Sequence, residues 1–318
     1  MEGPIDFIVA VRSIWYDLGP DAGVSLGYDL DNACTCEGKP PGPGSCFNEA
    51  GVTCDGDGGR DIAGNGLLVD FDDLGGKSVA DLFNSKIASG QVTLILRVGN
   101  YNVGANDLNV NVSPFVSGGL LKDGEPDSGY TPPTWNGTDV WSIDPASTSS
   151  VALLDDGGYH YTPLFVDTAA YVTNYTLVSH LDTVELGVGQ ADLSMSDATL
   201  VASIVPDGMG GYTLTGQFTG RIAASTIFAI ASTFPDPMTD GGQSFCGSDP
   251  TLQDLIRPTI CSRTDIMSKT SQDNTGAGCD AISVALGFVA DKVLIGVPHT
   301  GVTPAAGCDG SVASCSGL

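Results

Sequence analysis

Thirty-three aspartates but only five glutamates, set among 43 glycines, constrain this chain more than any other feature. Aspartate bonds to its own backbone in turns and disfavours helix interiors, so an Asp- and Gly-rich chain is one of many turns between short strands. The strand period follows suit. Asp6 to Tyr16, Val92 to Val98, Leu200 to Val205, Tyr212 to Ile222 and Ala281 to Gly296 read as strands, the last with Ile282, Val284, Leu286 and Phe288 on one face. Pro206 to Gly211 reads as a hairpin turn. Leu108, Val110 and Val112 alternate until Pro114-Phe115-Val116, where the shift in phase predicts a bulge or strand end. Helix is expected only in connections: from a Ser78 cap to Ile87, from Ala224 to Phe234, and from Asp249-Pro250 to near Pro258. The expected fold is all-β: one antiparallel, jelly-roll-like β-sandwich over 1–318, with a Cys-stapled acidic loop at 29–61 and a Cys-bearing helical insertion at 224–280. The Gly-, Pro- and Asp-rich stretch from Lys122 to Pro163 is expected as surface loop.

Charge and cysteines set the compartment and the partners. The net charge is −26, and no Lys or Arg occurs between Lys122 and Arg221, so nucleic acid and anionic membranes are expected to be poor partners. No stretch approaches a membrane span. The nine cysteines form two clusters around a cysteine-free middle, without the paired spacings of a zinc site. They predict disulfides in an oxidising compartment, with Cys34 and Cys36 each reaching Cys46 or Cys54, and with Cys246 and Cys261 among the disulfide cysteines of the second cluster, their partners left open. Met1-Glu2-Gly3-Pro4 carries no signal-peptide pattern, so the exported precursor is expected to be longer.

Between Asp29 and Asp61 the cysteines bracket two acidic pieces, Asp29-Leu30-Asp31 and Asp55-Gly56-Asp57-Gly58-Gly59-Arg60-Asp61. Aspartates alternating with glycines let a turning backbone aim several carboxylates at one point, which suits Ca²⁺. Asp55, Asp57 and Asp61 match the first, third and seventh positions of an EF-hand loop, but Arg60 replaces its glycine and Gly66 its glutamate. Asp29 and Asp31 complete the expected ligand set. The alternative is a solvated acidic loop held by disulfides alone.

Catalytic signals are weaker. Gly23-Val24-Ser25-Leu26-Gly27 fits a nucleophile elbow without its flanking strand and helix. His180 shares a strand face with Asp182, either as an acid-base pair or as surface residues. Trp135 and Trp141 are candidates for stacking a sugar ring, or else core anchors. The run from Gly27 to Asp31 with Cys34-Thr35-Cys36, the segment Cys54 to Asp61, and Leu94-Ile95-Leu96-Arg97 to Asn106-Asp107 resemble uncharacterised exported proteins of myxobacterial type. The resemblance implies a surface protein, exported or lipid-anchored, and transfers no catalytic residue. The expected function is therefore a non-catalytic recognition or adhesion module of the cell surface or envelope, stabilised by Ca²⁺, with carbohydrate or another surface protein as partner. The alternatives are an extracellular polysaccharide hydrolase and a structural assembly subunit. A Trp-lined face marks the first, carboxylates converging in a cleft the second, and exposed strand edges the third.

Overall fold

The computed structural model describes residues 3–16, 26–36, 44–48, 53–75, 78–127, 131–188, 191–231, 257–301 and 315. In chain order its strands are β1 (Ile5–Trp15), β2 (Leu94–Tyr101), β3 (Asp107–Lys122), β4 (Glu125–Pro126), β5 (Val140–Ile143), β6 (Thr148–Leu153), β7 (Tyr159–Pro163), β8 (Asp167–Thr173), β9 (Thr176–Val188), β10 (Ala191–Pro206), β11 (Tyr212–Ala223), β12 (Ala281–Lys292) and β13 (Leu294–Pro298). Helices α1 (Ala63–Gly75) and α2 (Val79–Ala88) lie between β1 and β2, and α3 (Ala224–Ala231) follows β11.

The all-β expectation holds, but the sandwich does not. β3 pairs with β2 on one side and β8 on the other, so β1, β2, β3, β8, β9, β10, β11 and β12 close into an eight-stranded antiparallel barrel. Every neighbour around it is also the neighbour in sequence among the barrel strands. That is an up-and-down order, without the crossing connections of a jelly roll. The interior is packed: Val9, Leu96, Val112, Leu181, Leu200 and Leu214 are wholly buried there, and Phe218 stacks on Phe288 with ring centroids 4.5 Å apart. An eight-stranded barrel is just wide enough for side chains to fill it, as these do. Phe7, Tyr101 and Tyr212 group edge to face and tilted at one end.

Two expectations fail for one reason. The pairing of β2 with β3 is continuous through Leu96↔Pro114, so no bulge interrupts it there. Instead, the outer face of the barrel becomes covered: Phe115, with Ala10 and Ile95, packs under Trp141, Ile143 and Tyr161 in a second apolar cluster. The cover is made by β5 and the β6–β7 hairpin, within the stretch expected to be surface loop, together with β13. Pro114 is tolerated mid-strand because β3 changes partner beside it, from β8 up to Val112 to β5 from Ser117.

α2 occupies its expected span, although Ser78 makes no capping bond and instead meets the Tyr16 hydroxyl at 3.1 Å. Residues 224–231 of the second expected helix are helical, and residues 257–261 are helical past Pro258; the remainder of both lies outside the described residues. α1 was not legible, because its Gly- and Asp-rich sequence reads as turn. Gly64 explains part of that composition: a side chain there would meet Val284 Cγ2 at 2.3 Å and the Ser283 carbonyl at 2.6 Å, so only glycine lets the helix lie on β12.

Replacing Phe288, which is fully buried and stacked, by alanine should lower unfolding free energy by about 3–5 kcal/mol. Leu108→Ala, at a side chain 78% exposed, should change it by less than about 0.5 kcal/mol. Denaturant titrations of both variants check the assignment of barrel interior and exterior.

Candidate metal centre

β1 stops pairing with β12 at Trp15↔Gly287, which leaves the first residues of β12 without a strand on that side. The insertion after β1 and the one after β11 both emerge here and complete the edge. Asn65 Oδ1 accepts from the Ala285 N–H at 3.1 Å, and Asp265 Oδ1 accepts from the Ser283 N–H at 2.9 Å. Ile266 and Ala281 form an antiparallel bridge. Asp265 is thereby half-buried as an edge cap, with its second oxygen accepting from the Ser283 hydroxyl at 2.5 Å.

The acidic loop lies over this seam. The Asp61 N–H donates to the Tyr28 carbonyl at 3.0 Å, and Asp61 Oδ2 accepts from the Leu30 N–H at 2.6 Å. Asp31 accepts from the Ala33 N–H at 2.8 Å, and Asp55 from the Thr35 N–H at 2.5 Å. Between Asp55 and Asp61 the chain doubles back, Gly56 and Arg60 bridging around Gly58 and Gly59, which adopt φ of 79° and 73°. From outside β11, the fully buried Arg221 donates to the Leu30 carbonyl at 2.6 Å, holding the peptide between Asp29 and Asp31.

Carboxylate oxygens of Asp29, Asp31 and Asp61 lie within 4.8 Å of one another, Asp29 exposed and the other two buried. Asp55 and Asp265 act on the same group. Burial first, then the neighbouring carboxylates, pushes Asp61 up to about 9 and Asp265 up to about 7. Asp55 rises to about 6 and Asp31 is raised as well, for the same causes. The described Arg ion pairs go elsewhere, to Asp6, Asp70, Asp197, Asp273 and Asp291. An all-oxygen donor set of this kind suits a hard cation.

Of the five expected ligands, the structure brings Asp29, Asp31 and Asp61 together, with Asp55 close enough to raise Asp61. Asp57 stands exposed at the hairpin tip outside the group, because the turn that returns Asp61 to the cluster carries Asp57 away. Asp265 was missed: it lies more than 200 residues along the chain and is one aspartate among 33.

The cysteines pair in part as expected, Cys36 with Cys54, and otherwise differently. Cys36–Cys54 closes the acidic loop, Cys46–Cys279 ties that loop to the second insertion, and Cys261–Cys315 reaches the C-terminal segment. Cys34 is exposed and stands in none of the described bridges, since Cys36 takes Cys54 and Cys46 crosses to the other cluster. Cys246 lies outside the described residues.

The remaining candidates disperse. Trp141 is fully buried and packs against Trp135, ring centroids 5.9 Å apart, so it has no face for a sugar and the pair serves as a core anchor. His180 is held not by Asp182 but by the next strand, with Nε2 3.1 Å from Asp197 Oδ1 and Nδ1 3.2 Å from the Thr199 hydroxyl. It stands on the open barrel wall, its side chain 65% exposed. Ser25 of the elbow pattern lies outside the described residues. Among the described residues no helix is long and apolar enough to cross a membrane. No protein-family model, curated protein or solved structure matches the chain.

The raised carboxyls fix the direction of a pH effect. Folded, cation-free protein keeps protons on Asp55, Asp61 and Asp265 that the unfolded chain releases near pH 4. The native state therefore binds more protons above that pH, and stability falls as pH rises. In EDTA the melting temperature should drop from pH of about 5 to about 8, and Asp61→Asn should flatten the slope. Melting curves across that range check it; a rising profile would contradict the buried placement of these groups.

Proposed function

We propose that this chain is an exported, disulfide-braced recognition protein of the cell surface or envelope, whose N-terminal loop folds around a bound Ca²⁺. The observation that carries the cation is the convergence of the Asp29, Asp31 and Asp61 oxygens within 4.8 Å, two of the three carboxylates being buried. Buried like charges without cationic partners are costly, and one divalent ion offsets several of them. Asp29, Asp31 and Asp61 would hold the ion, with Asp55 at its margin. The three disulfides suit an oxidising compartment, and the resemblance to exported myxobacterial-type proteins points the same way.

A polysaccharide hydrolase is the second reading, favoured by one observation: Asp265 lines a cavity beside the cluster and carries a raised carboxyl. Against it, both Asp265 oxygens are engaged by Ser283 and serve the strand edge. The assembly reading is weakened by closure, which leaves none of the eight barrel strands as an open edge along its length.

Adding Ca²⁺ to EDTA-treated protein should raise the melting temperature, by the equivalent of about 2.7 kcal/mol at a hundredfold excess over Kd. Asp31→Asn and Asp61→Asn should each abolish most of the gain, whereas Asp57→Asn should leave it intact. Calorimetric titration with no heat, together with identical melting in Ca²⁺ and EDTA, would remove the cation from the proposal.

A further inference from the structure

We infer that the cavity between the two insertions is the recognition site and that its ligand is a small neutral sugar. This deepens the recognition reading and rests on it, but not on the cation. The cavity measures about 510 Å³, within the range of small-molecule sites. Its walls are preformed. Cys46–Cys279 joins them, the Phe47 N–H donates to the Ala277 carbonyl at 2.8 Å, the Cys279 N–H to the Phe47 carbonyl at 2.8 Å, and the Asn274 N–H to the Ser45 carbonyl at 2.7 Å. A site held by a covalent bridge and a short ladder loses little entropy on binding.

The lining selects the ligand. Thr35, Ser45, Thr53 and Asn274 present hydroxyls and an amide, the groups that pair with sugar hydroxyls. Ser45 is 1% exposed, and its hydroxyl supports the Asp31 carboxylate at the back of the cavity wall. Phe47 also lines the cavity and is 60% exposed, an aromatic face free to stack on the apolar side of a pyranose. Charge narrows the class further. The net charge of −26 disfavours anions. Each Asp265 oxygen already accepts one bond from Ser283, which reduces what the carboxylate offers an ammonium. A neutral, hydroxyl-rich molecule satisfies every one of these conditions.

The test is saturation-transfer NMR and calorimetry of the whole chain with the methyl glycosides of glucose, galactose, mannose and N-acetylglucosamine, in Ca²⁺ and again in EDTA. At least one should bind saturably. Phe47→Ala, which leaves the backbone ladder in place, should weaken it about three- to tenfold. Ser45→Ala should also weaken it, while Leu153→Ala on the distant β6–β7 hairpin should not. Unchanged melting temperatures separate a contact effect from misfolding. Ca²⁺ binding without any saturable glycoside would overturn the cavity proposal and leave the cation standing; a glycoside bound equally in EDTA by a chain with no Ca²⁺ affinity would do the reverse. Preference for glucuronate or choline over the neutral glycosides, or a glycoside signal indifferent to both Phe47 and Ser45, would likewise overturn it.

Discussion

β1 parts from β12 opposite Gly287, and the N–H groups of Ser283 and Ala285 then face outward with no strand to receive them. Backbone donors left unpaired in a buried place are costly, so something polar must cover them. The chain uses an Asn and an Asp brought in by two separate insertions, and almost everything distinctive about the molecule follows. Capping the edge with Asp265 half-buries a carboxylate; seating the insertion that carries Asn65 draws Asp61 into the same place. Each burial raises the cost of the next negative group.

Arg221 supplies the opposing charge, and its placement explains how far that charge goes. Its guanidinium is wholly buried, paired with Asp273 at 2.8 Å and lying 3.3 Å from Asp197, and it also grips the carbonyls of Leu30 and Met267. It therefore orders the backbone on which Asp29 and Asp31 sit, while its own charge is spent on other carboxylates. The cluster is positioned by a cation that does not neutralise it. That division is why we propose an added ion, rather than a side chain, as the complement.

Much of the barrel was legible. Period-two alternation marked Ile282, Val284, Leu286 and Phe288 as one face, and that face does fill the interior. The Pro206–Gly211 turn does join β10 to β11. Closure was not legible, since a strand with one buried face alternates identically in a sandwich and in a barrel. Nor was the role of Trp141: its sequence neighbours are polar turn formers, and only the apolar face of Phe115 and Ile95 beneath it makes it core.

The acidic site divides in the same way. Aspartates spaced by glycines, bracketed by cysteines, were enough to mark Asp29, Asp31 and Asp61, because local turn chemistry and charge are properties of neighbouring residues. Cys46–Cys279, the edge-capping role of Asp265 and the outward turn of Asp57 were decided by tertiary structure alone. Those features depend on where two insertions, more than 200 residues apart in sequence, meet at the seam of one barrel. Composition and spacing describe what each segment can do, and only the closed sheet determines which segments stand side by side.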